Sequence, residues 1–296
     1  MSSNQGTPKA ETEIDEALIR QLLEEQHPDL ADLPLHRIDA GWDNEIYRLG
    51  NELAVRMPRR ELGAEFALIE QKWLPQLAEK LPILVPAPVR VGSPCPCYPW
   101  AWSVVPWFEG ETAAQSQPGS DAAETIGAFL RALHQTPPKE APRNEFRCGP
   151  LKDRDEQVEN RIAQLREETS FIDPRLIQIW RAGTECPVAA ELTWLHGDLH
   201  PKNVLIKNHA ISAILDWGDM TAGDPALDLA SIWMLFGDPA AQLKGFNAYG
   251  SPDSNTLARS KAWAVYFGVL FLGVGVADHS SDDLELGRRI LNNLAD

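Results

Sequence analysis

The 296-residue sequence predicts an α+β chain in two lobes, a small antiparallel-sheet lobe followed by a larger, mostly helical one. Three observations predict this. Short apolar runs separated by turn residues crowd into the first third of the chain. Pro106-Trp107-Phe108-Glu109-Gly110 then punctuates the chain as a hinge. Beyond the hinge the apolar spacing is helical almost to the end. With 44% hydrophobic residues the chain can bury a sizeable core. The expected division is a loose polar tail at 1–12, a first lobe at 13–106 and a second at 107–296.

The elements follow in order. Ile14, Leu18 and Leu22 set a first helix over Ile14–Leu23. Strands are expected at His36–Ala40, Glu45–Leu49 and Leu53–Met57, joined by Gly41-Trp42-Asp43-Asn44 and by the tight turn at Gly50-Asn51. Glu65–Leu77 reads as a helix with Phe66, Ile69, Trp73 and Leu77 on its buried face. Pro82, Pro86 and Pro88 break the chain before strands at Val89–Gly92 and Trp102–Pro106. After the hinge, helices are expected at Asp121–His134 with Asp121 as N-cap, at Leu151–Glu168, at Pro174–Ala182, and again from Asp228 onward.

Composition narrows the function. Lys and Arg number 27 against 43 Asp and Glu, a net charge of -16. Such a field repels nucleic acid and attracts a polycationic small molecule; the alternative reading is that the acidity serves only to keep the protein soluble. The N-terminus is polar and acidic, unlike a secretory leader. Four cysteines, with Cys95 and Cys97 as C-x-C and Cys148 and Cys186 isolated, lack the spacing of a paired zinc site. Free thiols in the reduced cytoplasm are the expectation. The apolar run Ala262–Ala277 falls short of the roughly 20 residues of a membrane span and contains three glycines, so it reads as a buried core helix. Trp233, Phe236, Trp263 and Phe267 are expected in the core, and His134 as a core or cap histidine. The pair Arg59 and Arg60 and the cluster Asp282, Asp283 and Glu285 are expected on the surface.

Two segments carry chemistry. His196–Leu205 (HGDLHPKNVL) sets a polar centre between apolar flanks, and Ile214–Asp219 (ILDWGD) brings a second carboxylate on an apolar strand. Phosphoryl transfer needs a base to take the acceptor's proton and oxygen ligands for Mg²⁺. Asp198, Asn203 five residues later, and Asp216 supply that set, at the Asp-to-Asn spacing of a protein-kinase catalytic loop. Two other readings stand beside it. The three residues could be ordinary turn and cap residues. His196, His200 and Asp198 could also be a hydrolase metal cluster, although Gly197 and Pro201 oppose the helix such a pair of histidines would use.

These segments, followed by Asp224–Ala230 (DPALDLA), resemble the aminoglycoside phosphotransferase family of the protein-kinase-like superfamily. Upstream, Gly41–Arg60 and Ile69–Pro75 resemble a bacterial branch of it, so the similarity runs from about Arg37 to at least Ser231. The resemblance implies a protein-kinase-like two-lobe fold, with a nucleotide-binding first lobe and a catalytic and substrate-binding second lobe. It implies Asp198 as catalytic base, with His196 as a scaffold residue of the same loop, and Asn203 and Asp216 as Mg²⁺ ligands. Asp224 and Asp228 become braces of the second lobe. Glu70 becomes the partner of the triphosphate-binding cation, and Val105 and Trp107 the hinge that meets the nucleobase.

Two departures from the family pattern matter. Arginine, Arg56, stands where the family usually has lysine, and its planar fork is not equivalent to an ammonium. The phosphate-covering turn has one glycine, Gly41, with Asp43 and Asn44 beside it, in place of a G-x-G-x-x-G run. The expected activity is transfer of the γ-phosphoryl of ATP or GTP, with Mg²⁺, to a hydroxyl of a small molecule. A cationic aminoglycoside-type antibiotic comes first; a macrolide or another small metabolite is the alternative acceptor. A non-catalytic nucleotide-binding relative is the other class. No nucleic acid or membrane partner is expected, and the chain is expected as a monomer or dimer.

Overall fold

Alternating burial builds the first sheet. The computed structural model describes residues 9–41, 43–169, 172–188 and 191–294, and groups the chain into two units. The sheet unit is Met1–Lys80, Leu84–Glu109 and Asp216–Gly218; the helical unit is Leu81–Ile83, Gly110–Leu215 and Asp219–Asp296. Residues 1–8 of the expected tail and Trp42 of the expected turn lie outside the described residues.

In the sheet unit, helix α1 (Glu16–Gln26) precedes β1 (Leu35–Ala40), β2 (Asn44–Leu49) and β3 (Leu53–Pro58); α2 (Glu61–Ala78) follows, then β4 (Arg90–Gly92) and β5 (Trp102–Pro106). The sheet order is β1-β2-β3-β5-β4, antiparallel throughout. Tyr47 faces Val55 and Val55 faces Val104 across the ladder. These join Leu49, Met57 and Trp102 in a core closed by Ile19, Leu22 and Leu23 of α1. The opposite face of β3 and β5 meets α2, where Gln71 Nε2 donates to Ser103 Oγ and to the Trp102 carbonyl, both at 3.0 Å.

Three expectations in this unit are corrected. The buried face of α2 is Gly63, Ala64, Ala67, Glu70 and Leu74, not the bulky stripe of Phe66, Ile69, Trp73 and Leu77, which is only half-buried. Small residues allow the helix to approach the sheet, and Glu70 is tolerated there because it is paired. The last residues of the expected tail are tied down. The Glu11 amide donates to the Arg59 carbonyl at 2.8 Å, and Glu11 Oε2 accepts the Glu61 amide at 3.0 Å, satisfying an orphan donor at the start of α2. Cys95 and Cys97 form a disulfide across a turn that Cys95 and Tyr98 close with two backbone bonds, so only Cys148 and Cys186 are free thiols.

The helical unit begins with β6 (Glu111–Thr112), α3 (Ala122–Leu133), the short α4 (Glu145–Cys148), α5 (Asp155–Glu168) and α6 (Arg175–Thr184). Next come β7 (Thr193–Leu195), β8 (Val204–Lys207), β9 (Ala210–Ile214) and β10 (Thr221–Gly223). The chain closes with α7 (Ala226–Leu235), α8 (Pro239–Tyr249), α9 (Ser254–Ala277) and α10 (Ser281–Asn292). Strands β6, β8 and β9 form one small sheet, and β7 pairs with β10. Asp121 does not cap α3, because a preceding turn already pairs the Ala122 and Ala123 amides with Gly119 and Ser120. Helix α9 is long and apolar enough to cross a membrane, but 61% of its most apolar window is buried inside the protein. Trp233, Phe236, Trp263 and Phe267 are all in the core.

Candidate active site

The polar loop of the helical unit is built by backbone bonds to buried side chains. Asp228, fully buried on α7, accepts the His196 amide at 2.7 Å and the Gly197 amide at 3.0 Å. His134 Nε2 approaches the same carboxylate at 3.3 Å, and Tyr249 OH meets the other ring nitrogen at 3.0 Å. Burial, followed by Asp228 and Asp224, pushes the Tyr249 hydroxyl up to about 12, so it stays protonated. Gly197 has φ 86°, and a Cβ there would run into the Asp219 carbonyl, so glycine is required on both counts. Asp224 holds Arg259 of α9 through Nε at 2.6 Å and Nη2 at 3.2 Å, and its Oδ1 accepts the Ala226 amide at 3.0 Å.

His196 is fully buried, and both ring nitrogens serve the backbone: Nε2 bonds the Leu215 carbonyl at 2.8 Å and Nδ1 accepts the Asp198 amide at 3.2 Å. Both ring nitrogens are thereby engaged by the backbone of the loop and of the segment after β9. Among the described residues, His196, His200 and Asp198 form no metal-ligand group. Asn203 donates Nδ2 to the Asp198 carbonyl at 2.9 Å, and its own carbonyl accepts the Leu215 amide at 2.8 Å. Its amide is thereby fixed, with Oδ1 as the oxygen available to a cation.

The Asp198 carboxylate is 18% exposed and held at both oxygens: Arg147 Nη2 lies 2.6 Å from Oδ1, and His200 Nε2 lies 3.2 Å from Oδ2. Burial opposes its ionisation, but His200 and Arg147 outweigh burial and hold the carboxyl well below the usual carboxylate range. Arg147 also binds Asp219, through Nη2 at 2.8 Å and Nε at 3.2 Å. His200 stands edge-on against Phe271 and Phe267, with ring centroids 5.0 and 5.9 Å away.

The sheet unit holds the other expected residues. Arg56 Nη1 donates to Glu70 Oε2 at 2.7 Å, and Arg56 Nη2 lies 3.6 Å from Asp216 Oδ1. Burial works against the Arg56 charge, but Glu70 and Asp216 outweigh it and keep the guanidinium protonated. Burial pushes the Glu70 carboxyl up, and Arg56 holds it back part of the way. Asp216 is the exposed member, at 59%, and sits in the left-handed region at φ 58°, a conformation found more often at functional positions than elsewhere for a non-glycine residue. Gly41 and Asn44 close their turn with a Gly41 amide to Asn44 carbonyl bond of 2.9 Å.

Arg59 and Arg60, expected on the surface, brace that turn. Arg59 Nη1 donates to the Gly41 carbonyl at 3.1 Å, and Arg60 Nε to Asp43 Oδ1 at 2.5 Å. At the end of β5, Val105 is buried, and just beyond it the Trp107 amide donates to the Glu52 carbonyl at 2.7 Å, with Arg48 over the Trp107 ring at 4.9 Å.

Three site features escaped the sequence. Arg147 and Asp219 are one; their pairing joins positions far apart in the chain, and Arg147 lies in a segment with no periodicity. The Arg59 and Arg60 brace is the second. The third is Lys202 of the loop, whose Nζ lies 2.5 Å from Asp283 Oδ1, so that Asp283 is not the solvated surface residue expected.

The signature of the phosphotransferase enzyme family matches residues 34–263. An aminoglycoside 3'-phosphotransferase of Escherichia coli is 26% identical over 171 residues, covering 53% of this chain and 62% of that protein. One from Salmonella typhimurium matches equally. The chain thus spans about three-fifths of the length of the curated relatives it matches. The GDP complex of wild-type aminoglycoside 2'-phosphotransferase-IIIa superposes with a TM-score of 0.66 at 16% identity, over 95% of this chain and 99% of that one. The macrolide 2'-phosphotransferase MphH of Brachybacterium faecium gives 0.60 at 21% identity, over 93% and 97%. The fold of these proteins, an antiparallel-sheet lobe and a helical lobe, is the fold of this chain.

Proposed function

We propose that this chain, which belongs to the phosphotransferase enzyme family, moves the γ-phosphoryl of ATP or GTP onto a hydroxyl of a small molecule, with Asp198 as the base. The observation that carries this is the Asp198 carboxylate: ionised, partly exposed, and fixed on a loop braced by Asp228 and His196. In the reaction the hydroxyl proton passes to Asp198 as the new oxygen–phosphorus bond forms, and the bond from the γ-phosphorus to the bridging oxygen breaks to release the diphosphate. Asn203 Oδ1 and the Asp216 carboxylate would hold Mg²⁺; both are hard oxygen donors suited to that ion. When bound, the ion offsets the charge of the triphosphate. Arg56, seated by Glu70, and the backbone of the Gly41–Asn44 turn would hold the phosphates, with the segment from Val105 to Trp107 beside the nucleobase. The sheet unit is then the nucleotide lobe and the helical unit the acceptor lobe.

For the acceptor, a cationic aminoglycoside comes first, supported by the net charge of -16 and by the names of the curated relatives. Macrolides are the alternative, supported by the macrolide phosphotransferase that shares the fold. The test is to incubate the purified protein with Mg²⁺, ATP or GTP and a panel of aminoglycosides and macrolides, and to follow diphosphate release and the mass of the acceptor. An acceptor heavier by one phosphoryl group supports the reading; an unchanged panel with both nucleotides contradicts it.

A further inference from the structure

We propose that Arg147 is a positioning residue of the transfer reaction: anchored by Asp219, its guanidinium fixes the orientation in which the Asp198 carboxylate meets the acceptor hydroxyl. This role rests on the phosphotransferase reading above.

The anchorage is built in layers. Helix α4 is too short to hold a side chain by itself, and its start is fixed by Asn144, whose Oδ1 accepts the Phe146 amide at 2.9 Å. Asn144 also donates Nδ2 to Asp219 Oδ1 at 2.5 Å, so the α4 cap and Arg147 grip the same carboxylate. Arg154 holds the other end by donating to the carbonyls of Phe146, Gly149 and Pro150, and its guanidinium lies 4.8 Å over the Trp263 ring of α9. Arg147 itself stands 6.0 Å from the Phe267 ring centroid, and its side chain is 16% exposed. An arginine held this firmly keeps little rotamer freedom, so its contact with Asp198 Oδ1 is set before any substrate arrives.

The consequence lies in the lone pairs. A carboxylate offers about four acceptor positions. Arg147 Nη2 stands 2.6 Å from Oδ1 and His200 Nε2 3.2 Å from Oδ2, so a cation and a ring nitrogen on opposite oxygens restrict rotation of the group, and each oxygen keeps acceptor capacity for the hydroxyl proton. Proton transfer needs the base within about 2.6–3.2 Å of the hydroxyl, and misplacement by about 1 Å can cost on the order of 10²-fold in rate. Asp219 has a second task, because without it Arg147 would bind Asp198 alone and could follow it out of place.

The test measures kcat and KM for both substrates in wild type, Arg147→Ala, Arg147→Lys and Asp219→Ala, each with a melting curve. Guanidinium chloride is added to each at concentrations well below those that unfold the protein. Arg147→Ala is expected to lose about 10–100-fold in kcat with the nucleotide KM unchanged. Arg147→Lys should recover part of the loss, and guanidinium ion should partly rescue Arg147→Ala but not Asp219→Ala, which still carries its arginine. Turnover of Arg147→Ala equal to wild type overturns this role alone. So does a loss that tracks the melting temperature and is rescued by neither lysine nor guanidinium. A wild type that phosphorylates no acceptor overturns the phosphotransferase reading and this role together.

Discussion

The Arg56 guanidinium and the Glu70 carboxylate meet at 2.7 Å with side chains only 12% and 5% exposed, an ion pair inside the interface of β3 and α2. Removing one partner of such a pair leaves a buried charge. Glu70→Ala should therefore destabilise the protein by about 3–5 kcal/mol, read by urea unfolding. Arg56→Ala should weaken ATP and GTP binding in calorimetry, and Arg56→Lys should restore much of it. Glu70→Ala should add little on top of Arg56→Ala, because the two act as one unit. Equal nucleotide affinity in wild type and Arg56→Ala would move the phosphate contact elsewhere, with the Gly41 turn as the next candidate.

The turn depends on a glycine outside it. A Cβ on Gly63 would lie 2.5 Å from the Asp43 carbonyl, the same carbonyl that accepts the Arg59 amide. Gly63→Ala is expected to push the Gly41–Asn44 turn off its Arg59 and Arg60 braces. The nucleotide dissociation constant should then rise by a larger factor than the loss of stability explains. A variant that binds nucleotide as wild type does would show that the turn has room to shift without consequence.

Asp228→Ala strands two buried backbone donors, those of His196 and Gly197, whose partner it removes. Each unsatisfied donor costs about 1–3 kcal/mol, so a total on the order of 3 kcal/mol is expected in equilibrium unfolding, with turnover lost as the loop relaxes. A change below about 1 kcal/mol would mean that other groups take over both donors.

Helix α9 starts at Asp253, whose Oδ1 accepts the Asn255 and Thr256 amides at 2.9 and 3.1 Å while Oδ2 accepts the Thr256 hydroxyl at 2.7 Å. Loss of this cap in Asp253→Ala should cost about 1 kcal/mol. The Thr256 hydroxyl bond, followed by the backbone amides, holds this carboxyl below its ordinary value of 3.8. A depressed folded value means that the unfolded chain binds the proton first as the solution is acidified. The stabilisation is thus fully present above the ordinary value and is lost as pH falls through the lower folded one. The gap in stability between wild type and Asp253→Ala should be constant from neutral pH down to about pH 5 and close in stronger acid. A gap that widens in acid would contradict this.

Much of this could be read along the chain because it is local. The strands over 35–58 and the turn at Gly50 follow from alternation and turn chemistry, and the structure places them within a residue or two of expectation. The proposed roles of Asp198 and Asn203 rest on spacing within one loop, and that of Asp216 on the strand before it. What stayed hidden depends on pairing at a distance. On α2 the bulky residues suggest the buried side, whereas Gly63, Ala64 and Ala67 make the close approach and Glu70 is buried by virtue of Arg56. Arg59, Arg60 and Asp283 were expected at the surface because a charge in sequence shows no partner; each partner is brought in by the fold. Arg147 is hidden for the same reason, since its partners, Asp198 and Asp219, come from a loop and from the turn before β10, late in the chain.

The central claim is that Asp198 is the base of a phosphoryl transfer, and the turnover of Asp198→Ala, read beside its melting curve, tests it most directly. A base that aligns the hydroxyl and accepts its proton contributes about 10²–10⁴-fold, so turnover with the best acceptor of the panel should fall by that factor while nucleotide binding persists and the protein stays folded. A folded Asp198→Ala that phosphorylates the acceptor at the wild-type rate would contradict the account.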